Sequence, residues 1–188
     1  ASATNSMLES GTKKYSADEL SDGIDFYGSF LELQVEQDFA SVTIYSLNKY
    51  LSQTLTYVEE LLKSPSFPEN EFRIANTNKR QKHAINSQKV SVMARRKFTE
   101  LLFGANHPYG YHVDESTYDT LSNDQLMVFH KKHYSPGDAT IFMAGNITDE
   151  TLQLIEKHFG KHQPNGKRSN HGYLLHKLSL GVLCQKTS

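Results

Sequence analysis

Nine histidines give this 188-residue chain its most obvious capacity for metal or acid–base chemistry, and their spacing decides which could act together. His130 and His133 fall three apart on a predicted helix, so they can share a face. No carboxylate stands at helical spacing beside them, and the residues between are Lys131 and Lys132. Two ammonium groups next to a dication are unfavourable. The pair therefore reads as a solvated helix end, with its cations well placed near the helix C-terminus. His158 and His162 lie four apart, but Gly160 between them ends the helix. His83, His107, His112, His171 and His176 are isolated and read as surface or packing residues.

Other chemistries fare no better. The single cysteine, Cys184, excludes an internal disulfide and a cysteine metal cage. Lys79-Arg80-Gln81-Lys82-His83 and Arg95-Arg96-Lys97 are basic clusters on predicted helices. They lack the aromatic platforms or motif of a nucleic-acid surface and read as solvated faces. A net charge of −1 argues in the same direction, so no nucleic-acid partner is expected. Asn146-Ile147-Thr148 is a glycosylation sequon of a kind frequent by chance. Neither a nucleophile elbow nor a glycine-rich phosphate loop is present. No apolar run approaches the roughly 18 residues a membrane span needs. The chain opens at Ala1 without a Met or a signal-peptide pattern, which reads as a processed chain or a piece of a longer one.

The elements that would position these residues follow from pattern. Ser16 and Glu19 form a capping box ahead of Leu20, Ile24 and Tyr27, with Gly28 as the stop. Phe30 to Glu36 alternates, with Leu31, Leu33 and Val35 on one face, and Ala40 to Leu47 is β-branched. Together they predict an antiparallel pair turning at Gln37-Asp38. Leu51, Leu55, Val58 and Leu62 predict a helix that Pro65 and Pro68 end. Residues 69–103 read as one long, polar helical stretch with an apolar patch at Met93, Ala94, Phe98, Leu101 and Leu102, stopped by Gly104. A turn at His107-Pro108-Tyr109-Gly110 follows, then a helix capped at Ser122-Asn123-Asp124 and ended by Ser135-Pro136-Gly137. A short strand at 139–144, a helix capped by Thr148, a linker over 161–172 and a last strand within 173–184 complete the pattern. Adjacent alternating strands with grouped helices predict an α+β fold: a largely antiparallel sheet flanked by helices.

Several of these segments, in order, resemble the pitrilysin/insulinase family of zinc metallopeptidases. Gly11-Thr12, between an opening helix and a capped one, resembles the family's helix–GT–helix start. Phe67-Pro68-Glu69 resembles the entry to its long helix. Leu101-Leu102-Phe103-Gly104 with His107-Pro108-Tyr109-Gly110 resembles its "FG…HPYG" segment, and Phe129, Tyr134-Ser135-Pro136 and the strand to Gly145 resemble the segment after it. The match covers residues 1–160, a partial domain, whereas residues 161–188 are read as a linker and an unrecognised segment.

What the resemblance implies is mainly an absence. The family's zinc motif, H-x-x-E-H, would fall just before Gly11-Thr12, on Ser2, Asn5 and Ser6. Its third ligand, a Glu on the long helix, would fall on or next to Lys82. None of these can replace an imidazole or carboxylate on zinc. No catalytic residue, metal or cofactor is therefore expected in this chain, and zinc is expected in a homologous partner half. The implied role is a non-catalytic half that shapes a chamber and binds unfolded polypeptide. The alternatives are a scaffold homologue without proteolytic role and an enzyme using other residues. Family domains open with strands before the first helix, so an incomplete domain is expected. Its Leu31/Leu33/Val35 face should lie under helices, and at least one sheet edge should be open.

Overall fold

The computed structural model describes residues 1–134 and 139–160, and the backbone of one further strand at Lys177–Gln185. The linker expected over 161–172, the stop at Ser135-Pro136-Gly137, and His162, His171 and His176 lie outside the described residues. The chain divides into two units, residues 1–68 with 126–188 and residues 69–125.

The first unit is built around a hairpin and one helix. Strand β1 (Phe30–Val35) pairs antiparallel with β2 (Phe39–Leu47), with Leu33 opposite Val42. Gln37-Asp38 make the turn, closed by the Glu36 N–H donating to the Phe39 carbonyl at 2.8 Å. The alternation then works as read: Ala40, Val42 and Ile44 are buried on the face they share with Leu31, Leu33 and Val35. Helices α1 (Ser2–Ser6), α2 (Ala17–Phe26) and α3 (Leu51–Lys63) pack on the hairpin. The expected capping box starts α2: the Ser16 hydroxyl accepts from the Glu19 N–H, and the Glu19 carboxylate accepts from the Ser16 N–H. Helix α3 supplies more of the core than any other element, with Leu51, Leu55, Val58, Leu61 and Leu62 buried. Three buried hydroxyls, Ser29, Ser46 and Thr54, bond to one another at 2.7–3.2 Å and join β1's start, β2's end and α3.

The sheet continues in a different sense. Its order is β1-β2-β4-β3, with β3 at Thr140–Gly145 and β4 at Lys177–Gln185. Strand β4 runs parallel to both neighbours, Val42 and Ile141 each standing opposite Leu180. The α+β class therefore holds, with antiparallel pairing confined to the hairpin. The physical reason is connectivity. Helix α8 (Asp149–Phe159) lies between β3 and β4 in the chain, and a strand–helix–strand passage returns the second strand parallel to the first. The expected Thr148 cap starts α8, and Thr151 reciprocates it.

The second unit is helical. The single stretch expected over 69–103 is two helices, α4 (Glu69–Ser87) and α5 (Val90–Phe103). Asn86 and Ser87 are weak helix formers, and the chain tightens into three-residue bonds from Gln88 to Ile85 and Lys89 to Asn86 before Lys89 turns extended. Helix α6 (Thr117–Thr120) is tied to α4 by Asn76 donating to the Tyr118 carbonyl at 2.8 Å. Arg80 joins the same segment by bonds to Glu115 and Asp119. After α5, Gly110 sits so close to Gly104 that a Cβ would lie 2.1 Å from the Gly104 oxygen, so only glycine can close that turn. Helix α7 (Asn123–His133) carries the chain back into the first unit.

Candidate functional site

Ser2, Asn5 and Ser6 all fall on α1, spaced to share one turn. What holds α1 there is the Gly11-Thr12 pair. Gly11 adopts a φ of +119°, open to glycine alone, and its carbonyl accepts from the Ser66 N–H at 3.0 Å. The buried Thr12 hydroxyl accepts from the N–H groups of Lys14 and Tyr15. The chain is thus pinned between α1 and α2 against the loop that follows α3.

Ser2 and Ser6 are exposed, and the Ser6 hydroxyl turns back onto its own helix, donating to the Ala3 carbonyl at 3.1 Å. Asn5 is buried and spends its amide on structure. Its Nδ2 donates to the Gln34 carbonyl at 3.2 Å, and its Oδ1 accepts from the Tyr134 hydroxyl at 3.0 Å. One side chain therefore ties α1 to β1 and to the residue after α7. Burial pushes the Tyr134 phenol far above its ordinary range, so it stays a neutral donor. Lys82 lies exposed on α4, in the second unit. Hydroxyls, a consumed amide and an ammonium do not fit zinc. Among the described residues no three His, Cys, Asp or Glu side chains gather as a metal would require.

The histidines resolve individually. His130 is not at a solvated helix end. It is half-buried, its Nε2 lies 3.0 Å from the Leu62 carbonyl, and its ring stacks on Tyr134 and meets Phe67 edge-on. The apolar residues that define α7's inner face, Leu126 and Phe129, lie one turn and one residue before it, so His130 belongs to the packed side. Burial lowers its pKa, partly offset by the Leu62 contact. His158 is buried with Nδ1 2.5 Å from a Glu59 oxygen. Burial works to raise the Glu59 pKa, but bonds from Lys63 and His158 hold it below the usual carboxylate range. His112 bridges Thr99 and the Arg96 carbonyl, while His107 packs with Phe103 and Tyr109 in the HPYG turn.

Two features of the first unit could receive a ligand, and neither was visible as a motif. The hairpin bond at Glu36 directs the backbone of residues 30, 32, 34 and 36 toward β2. That leaves the N–H and C=O groups of Leu31, Leu33 and Val35 on the outer edge, where no described strand pairs with them. Between α2 and β1 opens a cleft of about 540 Å³ whose walls include Leu20, Ile24, Phe30 and the carboxylates of Glu9, Asp18 and Asp25. Burial raises the Glu9 pKa.

Residues 120–184 match the sequence model of the Peptidase M16 inactive domain. The chain is 23% identical over 163 residues, 86% of its own length and 40% of the relative's, to the uncharacterized zinc protease YmxG of Bacillus subtilis (strain 168). It is 33% identical over 75 residues to an uncharacterized zinc protease of Mycobacterium leprae (strain TN), covering 38% of this chain and 17% of that one.

In fold it is similar to a protease from Helicobacter pylori, with a TM-score of 0.72 and 16% identity over 93% of this chain and 43% of that one. The first half of the periplasmic protease PqqL from Escherichia coli gives 0.67 and 16% identity, over 93% and 39%. The peptidase M16 inactive domain from Pseudomonas fluorescens gives 0.60 and 20% identity, over 68% and 32%. The resemblance to the pitrilysin/insulinase metallopeptidases is borne out by these similarities. The chain spans less than half the length of the relatives it matches. Among the described residues no helix is long and apolar enough to cross a membrane.

Proposed function

We propose that this chain is the non-catalytic half or subunit of a zinc metalloendopeptidase, holding unfolded polypeptide for a zinc-bearing homologous half. In this reading residues 1–160 are the peptidase-like body and 161–188 a linker with a further segment. The observation that carries the reading is the fate of Asn5. It stands where the resemblance places the water-activating carboxylate, and both ends of its amide are committed to Gln34 and Tyr134. The open β1 edge supports the binding role. An extended peptide pairing with Leu31, Leu33 and Val35 would gain main-chain hydrogen bonds, which give affinity with little sequence preference. Hydrolysis would belong to the partner.

The experiment mixes the intact protein containing this chain with its H-x-x-E-H homologue and an unfolded peptide. Peptidase activity should rise several-fold over the homologue alone, with tighter apparent substrate binding. If the homologue alone is equally active and binds substrate equally well, the holding role fails and a scaffold role takes its place. Peptidase activity of this chain by itself, lost on chelation, would overturn the non-catalytic assignment.

A further inference from the structure

The open edge of β1 and the cleft between α2 and β1 meet at Leu31, which belongs to both. Its N–H and C=O groups face outward on the edge. Its side chain lies on the sheet face that carries the buried Ala40, Val42 and Ile44. This register has a geometric consequence. In an antiparallel pair, the residue that exchanges both hydrogen bonds with Leu31 stands directly opposite it. Directly opposite residues put their side chains on the same face of the sheet. A peptide added to the edge therefore sends the side chain opposite Leu31 toward the cleft. The other two outward-facing residues of β1, Leu33 and Val35, do not line it.

The walls decide which side chain fits. On α2, Asp18, Ser21 and Asp25 fall three and four residues apart and form a polar row, with Leu20 and Ile24 as an apolar row beside it. Glu9 adds a third carboxylate. No Lys or Arg lines the cleft, and among the described residues none of these carboxylates is in an ion pair. Nor do they gather closely enough to cage a metal ion. Carboxylates beside an apolar wall match a side chain with a long apolar stem and a cationic tip, which buries the stem and leaves the charge among the acids. A carboxylate there would meet like charges, which is unfavourable. We infer that the cleft takes the Lys or Arg side chain of the peptide residue paired with Leu31, so that this chain selects basic segments of unfolded polypeptide. The inference rests on the reading of the β1 edge as a peptide-holding surface and adds a chemical preference to it.

Fluorescence anisotropy tests it, with the intact protein containing this chain and a short, labelled, unstructured peptide whose central residue is Lys, Leu or Glu. At low salt the Lys peptide should bind about fivefold tighter than the Leu peptide, with the Glu peptide weakest. Salt should narrow the differences. Asp18→Asn/Asp25→Asn changes exposed side chains, so circular dichroism should show it folded, and its Lys-to-Leu affinity ratio should fall toward one. Asp18→Lys/Asp25→Lys should reverse the order, favouring the Glu peptide. Methylating the backbone nitrogen of the central Lys removes the donor to the Leu31 carbonyl and should weaken binding about fivefold, whereas methylating the next nitrogen, which points away from the edge, should matter less. Three peptides that bind equally overturn the inference and leave the holding role standing. Three peptides that all fail to bind overturn the holding role and the inference with it. A Lys preference that survives Asp18→Asn/Asp25→Asn places the cation elsewhere and overturns the assignment to this cleft, as do equal effects of the two methylations.

Discussion

Helices α3 and α5 are nearly the same length, 13 and 14 residues, and both carry apolar residues at helical spacing. Helix α3 has six buried residues and α5 has none. The pattern is more regular in α3, where Leu51, Leu55, Val58 and Leu62 recur at three- and four-residue steps, than in α5, where Met93 and Phe98 are five apart and Lys97 lies among the apolar residues; in neither does periodicity report whether anything covers the apolar face. In the first unit the hairpin and α8 supply the cover. In the second, the loop after α5 contacts the polar side and leaves the stripe outward.

The largest effect should come from cutting the same side chain on each helix. Leu55→Ala removes a fully buried side chain among close-packed neighbours and should cost about 2–5 kcal/mol. Leu101→Ala trims a side chain already in water and should stay within about 0.5 kcal/mol. Urea unfolding of both variants checks the contrast. A Leu101→Ala cost comparable to that of Leu55→Ala would mean α5 is covered within the folded chain.

The next effect concerns the residue that the resemblance marks as catalytic and the structure makes a tie. Asn5→Ala leaves the Gln34 carbonyl and the Tyr134 hydroxyl each short of a partner in a buried setting. A loss of about 1–3 kcal/mol is expected. Asn5→Glu should not be better tolerated, since a carboxylate cannot donate to the Gln34 carbonyl and would be buried without a cation. Thermal unfolding of the two variants decides. A stable, unchanged Asn5→Glu protein would show that the position still accepts the carboxylate an active relative would need there.

How much of this was legible follows from the range over which each cause acts. Caps, the hairpin turn and the α3 stripe are set within a few residues, so Ser16, Gln37-Asp38 and Leu55 could be placed from sequence. The break between α4 and α5 was missed because Gln88 and Lys89 carry no strong stop signal. Only the bonds of Gln88 to Ile85 and Lys89 to Asn86 mark it. The parallel entry of β4 was missed because pairing with β2 joins residues more than a hundred positions apart. The candidate site divided in the same way. That Ser2, Asn5, Ser6 and Lys82 cannot bind zinc is side-chain chemistry, readable once the positions are known. That Asn5 meets Gln34 and Tyr134 is tertiary, and no spacing announces it. His130 misled because two flanking lysines suggested solvent, while its own side of α7 turns inward onto Leu62 and Phe67.

His130 also offers the finest test of how closed the first unit is. Burial disfavours its imidazolium, so its folded-state pKa lies below the ordinary 6.5. On acidification the unfolded chain takes up this proton first. The contribution of the neutral ring is therefore complete above about pH 6.5 and is lost as pH falls through that value. The Glu59 carboxyl, held below its ordinary 4.5, acts in a separate and more acidic window: its contribution is present above 4.5 and is lost as pH falls through the lowered value. A urea series between pH 7 and 5 should show a shallow loss of stability in the parent chain. His130→Phe keeps a ring against Tyr134 and Phe67 but cannot titrate, so it should flatten that region and leave the loss below pH 4.5 unchanged. An undiminished slope in the variant would mean that His130 reaches water in the folded chain, and that the first unit is more open around α7 than its packing against Leu62 implies.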